Sequence, residues 1–441
     1  MSRKSQTRNV QKAVRQAVNL HKSGKLNEAE RRYRAVLRQQ PDNPDALHFL
    51  GLLLHQRGET AAGTDSVRRA TMAAPGYADA FNNLGNLHKL AGKFEDADAA
   101  YRQAVRLRPN DANAHNNLGV VLRARGLLIE SEAELRKAIA VDQRHVPAYT
   151  NLGHLLKRTG RVKEAIDCYR AAIALDPYNP MALDVLGRAY QANGETDKAR
   201  EVFQAWLERD PGNPIARHML SACSGDAVPA RASDAYVRTL FDDLANDFDE
   251  HLASLRYRAP DLIGAALAAV WPEPLGDLDV LDAGCGTGLC GAFLRPQARA
   301  LVGIDLSSGM LRRATALNLY DQLIEAELAS FLEAHPDAYD AIVSADTLCY
   351  FGALEAVFTA ATGALRPSGR LFFTVEKATD SAADGYHLQS HGRYNHAASY
   401  VRRQLEGAGF AIETFQEAEL RQEAGAPVPG FVVTAMRPAR R

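Results

Sequence analysis

Three glycines at alternate positions, Gly284, Gly286 and Gly288, stand directly behind a short apolar run and an acid in LDAGCGTGL, Leu281 to Leu289. Glycine lets the backbone turn where other residues cannot and lets a ligand approach it closely. Loops of this kind hold dinucleotides, phosphates or S-adenosylmethionine. Asp282 lies two residues before the first glycine, and Asp305 lies 21 residues after it. A dinucleotide loop would read G-x-G-x-x-G and turn a helix N-terminus toward a doubly anionic pyrophosphate. Here the order is G-x-G-x-G, and Asp282 is an awkward neighbour for pyrophosphate. The same acid suits the ammonium and sulfonium charges of S-adenosylmethionine. Asp305 closes the next apolar run, where a carboxylate accepts both ribose hydroxyls of either ligand.

The elements that must position these residues are short apolar runs alternating with helix-length segments. The runs are LDVLDA, ARALVGIDL, LIEAELA, YDAIVSA and GRLFFTVE. Such alternation argues a parallel sheet covered on both faces, with ligands at the strand ends. FAIETFQEA and FVVTAMRP then suit a terminal antiparallel hairpin. D-x-G-x-G-x-G resembles the first motif of class I methyltransferases, and the resemblance runs from about Tyr236 to Arg437. It implies a Rossmann-like α/β domain, a seven-stranded and mostly parallel sheet, with S-adenosylmethionine as cofactor. The family's cofactor contacts then fall on Asp282, Gly284, Cys285, Gly286, Gly288, Asp305, Leu306, Met310, Glu327, Leu328, Ala345 and Asp346. Glu327 matches the acid that meets the adenine amino group, with Leu328 packed on the ring. The whole chain resembles bacterial methyltransferases that carry tetratricopeptide repeats.

Methyl transfer from a sulfonium is an in-line displacement with a good leaving group already in place. Alignment of donor and acceptor then supplies most of the acceleration, roughly 7–11 kcal/mol at best. No general base is required of the sequence. The polar groups expected near an acceptor are Tyr257, Tyr350, His387, Arg393 and Tyr394. A histidine among them is able to take a proton if the acceptor is a hydroxyl or carboxyl. The helix carrying Phe241-Asp242 and Phe248-Asp249 resembles the lid of related enzymes, which often have Tyr-Asp in place of Phe-Asp. His387, His391 and His396 lie close in sequence, but no acid or cysteine completes a metal set there, so no metal is expected. No Asn/Asp-Pro-Pro-Tyr and no Pro-Cys follows the fourth strand, which speaks against amino-group methylation of adenine or glutamine and against C5-cytosine methylation.

The first half reads differently. Gly24, Gly58, Gly92, Gly126, Gly160 and Gly194 are each 34 residues apart. Leu-Gly pairs recur in phase at Gly51, Gly85, Gly119, Gly153 and Gly187, and prolines close most units. A further phase holds Tyr33, Val67, Tyr101, Leu135, Tyr169 and Phe203. This resembles the tetratricopeptide repeat, an all-α solenoid of helix pairs with a concave groove. Asn83, Asn117 and Asn151 recur at the same step. In the repeats of the O-linked N-acetylglucosamine transferase such asparagines grip the backbone of a bound peptide. A protein or peptide in the groove is therefore the expected partner.

Residues 1–9 read as a basic tail, 10–221 as six repeats and a closing helix, and 222–233 as a linker. Residues 234–441 read as the methyltransferase domain, with lid helices over 234–272. A net charge of −1 leaves no footprint for nucleic acid or an anionic membrane. No apolar run approaches the roughly 18 residues of a membrane span. Five cysteines at no metal-like spacing suit reduced thiols in the cytoplasm. The leading expectation is a cytoplasmic S-adenosylmethionine-dependent methyltransferase whose repeats recruit a protein partner or substrate. The alternatives are a methyltransferase for a small carboxylate or hydroxyl compound with the repeats used for assembly, and a non-catalytic adaptor that senses the ligand.

Overall fold

The computed structural model describes residues 3–225, 228–245, 248–378, 385–423 and 425–439. Tertiary contacts divide the chain into two compact units, Met1–Ala182 and Leu183–Arg441.

The first unit is built of antiparallel helix pairs. Helix α1 (Arg3–Lys22) packs on α2 (Leu26–Gln39), and α3 (Pro44–Gln56) on α4 (Thr60–Ala73). The same pairing joins α5 (Ala78–Leu90) to α6 (Phe94–Leu107) and α7 (Ala112–Ala124) to α8 (Leu128–Val141). The last full pair is α9 (Val146–Arg158) with α10 (Val162–Leu175). Residues 3–9, expected as a tail, are the opening turns of α1, and Met1 and Ser2 lie outside the described residues. The 34-spaced glycines turn the chain within each pair; Gly24 and Gly58, for example, have φ of 76° and 85°. The glycines of the Leu-Gly pairs serve a second purpose. A Cβ on Gly85 would meet the Tyr101 ring at 2.6 Å, and one on Gly119 would meet Leu135 Cγ at 2.6 Å. Each such glycine is the seat of the large side chain sixteen positions later, and those side chains are fully buried.

The second unit opens with most of α11 (Pro180–Ala192), followed by α12 (Thr196–Arg209) and the closing helix α13 (Pro214–Ser224). Helix α13 packs on the chain that follows it. His218 Nε2 donates to the Gly392 carbonyl at 2.8 Å, and its ring stacks on Tyr236 at 3.9 Å. Gly392 has φ of 91°, and a Cβ there would meet Tyr236 Oη at 2.7 Å and Met219 Sδ at 3.1 Å. Of the stretch expected as a linker, 226 and 227 lie outside the described residues. Its remainder is stitched down: Ala230 O accepts from Gly352 N and Ala353 N, and Ala232 N donates to Tyr350 O.

Helices α14 (Asp234–Leu244), α15 (Phe248–Ser254) and α16 (Ala259–Val270) lead into the sheet. Its strands are β1 (Leu278–Ala283), β2 (Ala298–Asp305), β3 (Gln322–Glu325), β4 (Tyr339–Ser344) and β5 (Leu365–Lys377), parallel in the order β3-β2-β1-β4-β5. Strand β8 (Ala411–Glu423) pairs antiparallel with β9 (Ala426–Met436), and β9 lies antiparallel to β5. These are the seven strands expected, but the sheet holds nine. A further small hairpin, β6 (Tyr386–Leu388) and β7 (Tyr394–His396), attaches to the end of β5. The helices between strands are α17 (Gly291–Leu294), α18 (Ser308–Ala316), α19 (Leu328–Glu333), α20 (Glu355–Ala364) and α21 (Ala398–Gly407). Alternate residues of each strand feed two cores. Leu281, Ile304, Ile342 and Phe373 pack in one, and Val280, Leu301, Val343 and Phe372 in the other. Among the described residues no helix is long and apolar enough to cross a membrane.

Candidate active site

The strand order reverses between β2 and β4 around β1, so the loops after β1 and β4 diverge and leave a crevice, the usual ligand position in such sheets. The glycine loop forms one wall. Gly284, Gly286 and Gly288 have φ of 80°, 55° and 92°, and Gly284 N and Cys285 N both donate to Ile304 O at 2.9 Å. The loop runs through turns to a single helical turn, α17, which starts at Gly291. Thr347, behind β4, closes the crevice floor with its hydroxyl 3.3 Å from Gly284 O.

Asp305 ends β2 with both oxygens held. Oδ2 accepts from Gly286 N at 2.9 Å and Oδ1 from Ser307 N at 2.8 Å. The carboxylate keeps acceptor capacity beyond its backbone bonds, so an aimed group remains for a diol. Burial raises its pKa against these bonds. Asp282 is buried, and Tyr320 Oη donates to it at 2.7 Å. Burial pushes its carboxyl up to about 7. Glu327 caps α19, accepting from Ala329 N at 3.1 Å and Ser330 N at 2.8 Å. Burial works against its charge, but these bonds prevail and hold the carboxyl below the usual range. Leu306 and Ala345 follow their strands half-buried, whereas Met310 is fully buried and Leu328 nearly so.

The helices expected as a lid dock by their aspartates. Asp242 of α14 accepts from Ser307 Oγ at 2.6 Å and Gly309 N at 3.1 Å, at the start of α18. Asp249 of α15 accepts from Thr287 Oγ1 at 2.6 Å, in the glycine loop. Phe241 lies edge-on to Phe248 and to Tyr350, with ring centroids 5.7 and 5.4 Å away.

On the far side of the crevice the structure gathers an ionic cluster that the sequence did not reveal. Asp346 has φ of 54°, and Arg421 Nη1 reaches its carboxylate at 3.0 Å. Arg421 is 1% exposed and also pairs with Glu376 and, at 2.7 Å, with Glu423. Arg393 joins from the small hairpin, 2.9 Å from Glu376 and paired with Glu423. Both guanidiniums hold the Glu423 carboxyl down at about 2 despite its burial. His391 stands 3.7 Å from Glu376, and burial lowers its pKa to about 4. Tyr257 faces Asp346 and Arg421. Of the five residues expected near an acceptor, Arg393 belongs to this cluster, and Tyr257 and Tyr350 lie within electrostatic reach of it. Tyr394 is fully buried and donates to Pro229 O at 2.7 Å, and His387 is exposed on β6. Asp346, Cys349 and Glu376 bring ligand atoms within 4.8 Å, but Arg421 already occupies both carboxylates.

In the first unit, the recurring asparagines bond to the preceding repeat. Asn117 Nδ2 donates to Asn82 Oδ1 at 3.1 Å, Asn151 Nδ2 to Asn116 Oδ1 at 2.9 Å, and Asn83 Nδ2 to His48 Nε2 at 2.8 Å. Each amide keeps donor and acceptor capacity beyond these bonds.

A methyltransferase-domain family model matches residues 253–414, a tetratricopeptide-repeat model matches 14–78 and 150–214, and a second repeat model matches 89–126. The chain is 44% identical over 84 residues to human methyltransferase-like protein 27, covering 19% of this chain and 34% of that one. It is 31% identical over 150 residues to the biotin biosynthesis bifunctional protein BioHC of Saccharophagus degradans, 33% of this chain and 26% of the relative. Ubiquinone biosynthesis O-methyltransferase of Thiobacillus denitrificans matches at 31% over 106 residues, 23% and 45% of the two chains. The chain thus spans less than half the length of each of these relatives. The solved structure of Pseudomonas aeruginosa pilF covers 49% of this chain and 99% of its own at 16% identity, with a TM-score of 0.44.

Proposed function

We propose that this chain, in which tetratricopeptide repeats precede a methyltransferase domain, transfers the methyl group of S-adenosylmethionine to an acceptor brought to it by the repeats. The observation that carries the reading is the pairing of the glycine loop with Asp305, whose two oxygens are pre-set by Gly286 N and Ser307 N. That donor set fits an adenosine ribose beside a cationic amino-acid end. Gly284 and Gly286 would cradle the methionine and ribose, Asp305 would take the hydroxyls, and Glu327 and Leu328 would border the adenine. When bound, the cofactor supplies an activated methyl on a positively charged sulfur. The protein's own part is alignment and exclusion of water, by the docked lid and by Tyr257, Tyr350 and the wall around Asp346.

The ionic cluster bears on the acceptor. Arg393 and Arg421 are both matched by carboxylates, so among the described residues this wall presents no spare guanidinium for an acceptor carboxylate. A hydroxyl acceptor fits better, and one relative is named an O-methyltransferase.

Calorimetric titration with S-adenosylmethionine, S-adenosylhomocysteine and NAD tests the cofactor. Binding of the first two is expected, and a response to NAD alone would sink the reading. For the acceptor, tritiated methyl transfer into size-fractionated lysate is compared between the full chain and one beginning at Asn179. Label in macromolecules that needs the repeats supports recruitment; small-molecule label indifferent to them overturns it.

A further inference from the structure

Tyr320 belongs to none of the sequence motifs, yet it bonds the acid of the glycine loop. Its hydroxyl donates to Asp282 Oδ2 at 2.7 Å. Its ring shares with Leu317, Leu319 and Leu323 the space that three glycines leave open. A Cβ on Gly288 would meet Tyr320 Cε2 at 3.1 Å, one on Gly291 would meet Oη at 3.0 Å, and one on Gly303 would meet Cδ1 at 2.9 Å. These glycines come from the loop, from the first position of α17 and from β2. Gly288 therefore serves a side chain of this protein as well as the course of the loop.

We propose that Tyr320 is a positioning residue for the cofactor's ammonium end, fixing the Asp282 carboxylate in place. The inference rests on the loop's being a site for S-adenosylmethionine. The groups facing Asp282 are Asp305 from β2, Cys285 and Cys290 from the loop, and Tyr320 from the segment ahead of β3. Burial pushes both thiols up, so they stay protonated. Burial likewise raises Asp282 to about 7, Asp305 adds to the rise, and the Tyr320 bond opposes it. Without the hydroxyl the carboxyl would need a higher pH to ionise. The ionised form is the one that pairs with an ammonium. Affinity for a ligand carrying that ammonium then climbs as pH rises through the carboxyl's own value, and levels above it.

The full chain and its Tyr320→Phe variant are titrated by calorimetry between pH 6 and 8.5, the phenyl ring keeping the glycine seat filled. Two probes are used: S-adenosylhomocysteine, and 5′-methylthioadenosine, which lacks the amino-acid end. In the variant, S-adenosylhomocysteine binds about fivefold more weakly at pH 7 but within about twofold of the parent at pH 8.5. The nucleoside binds both proteins equally at either pH. A loss that is the same at both pH values, or is shared by the nucleoside, makes Tyr320 a space-filler and overturns the proposal, as does no loss at all. If the unaltered chain binds neither probe, the reading of the loop itself fails, which is a separate and recognisable result.

Discussion

The two units share one steric device and use it to different ends. In the repeats, a glycine on one helix gives up its Cβ space to a large side chain on the next: Gly85 to Tyr101, Gly119 to Leu135, Gly153 to Tyr169. Each pair joins neighbouring helices and nothing more distant, so its energetic reach is local. In the methyltransferase unit, Gly288, Gly291 and Gly303 together make room for Tyr320 and for Leu317, Leu319 and Leu323 beside it, and the Tyr320 hydroxyl ends on a buried carboxylate. There the device ties a loop, a helix start and a strand to one buried carboxylate. Repetition makes the first use a packing rule, and the proposal above makes the second a site.

The sharpest way to break this contrast is to ask where the repeats end. The sixth pair and α13 belong to the second unit, and α13 covers Tyr236 and the Gly392 turn. A chain starting at Asn179, which caps α11 through Ala182 N at 3.0 Å, should keep the melting transition of the second unit. A chain starting at 222 uncovers Tyr236 and loses the buried Met219 and His218. At about 1.5–3 kcal/mol for each buried side chain, it should lose roughly 5 kcal/mol or more and melt at least about 10 °C lower. Equal melting temperatures in calorimetry would return the sixth pair to the array.

Next in size is Arg421→Met. The substitution leaves the half-buried Asp346 without its cation and Glu376 with Arg393 alone, which costs up to about 3–5 kcal/mol. Acid should weaken the unaltered unit through the same cluster. The Glu423 carboxyl is depressed to about 2, so its contribution is complete above the unfolded value near 4.3. It is lost as pH falls from there toward 2. In the Met variant the acid-melting curve of the second unit should be flatter over that window, and an unchanged slope would remove Arg421 from the account.

This cluster marks the limit of what the sequence could tell. The array was legible because five separate registers repeat at 34 residues, so each position is read several times. Asp282, the three glycines and Asp305 were legible because they are close along the chain and carry a family pattern. Arg421 lies 75 residues from Asp346 and 45 from Glu376, in a strand that reads only as one arm of a hairpin. Nothing local announces that it is buried. Tyr320 was invisible for the same reason: its seat is assembled from positions spread between 288 and 303, and each glycine had a plausible role of its own. The packing of α13 on the Gly392 turn joins positions 174 residues apart, so the stretch 222–233 read as a linker.

Smaller effects test the glycine device directly. Gly85→Ala pushes a methyl into the Tyr101 ring, and Gly303→Ala pushes one into Leu323 and the Tyr320 ring, at about 1–3 kcal/mol each. The first should lower only the melting of the repeats and leave S-adenosylhomocysteine binding untouched. The second should lower the melting of the methyltransferase unit and weaken that binding as well, because the displaced ring carries the hydroxyl on Asp282. If both variants bind alike, the two uses of the device are the same use.

The smallest effect separates two roles for the asparagines. Asn117 Nδ2 donates to Asn82 Oδ1 across adjacent repeats, and Asn151 does the same to Asn116. If these amides brace the array, Asn117→Ala should cost about 0.5–1.5 kcal/mol, the net worth of one neutral hydrogen bond. The loss should appear in urea melts as a lower midpoint at an unchanged slope. Asn82→Ala should cost a similar amount, and the double variant little more than either alone, because both remove one bond. Additive losses would mean that the two amides do not stabilise each other. Their bonding capacity would then be better explained by a chain lying along the groove, and the ladder would serve a partner before it serves the fold.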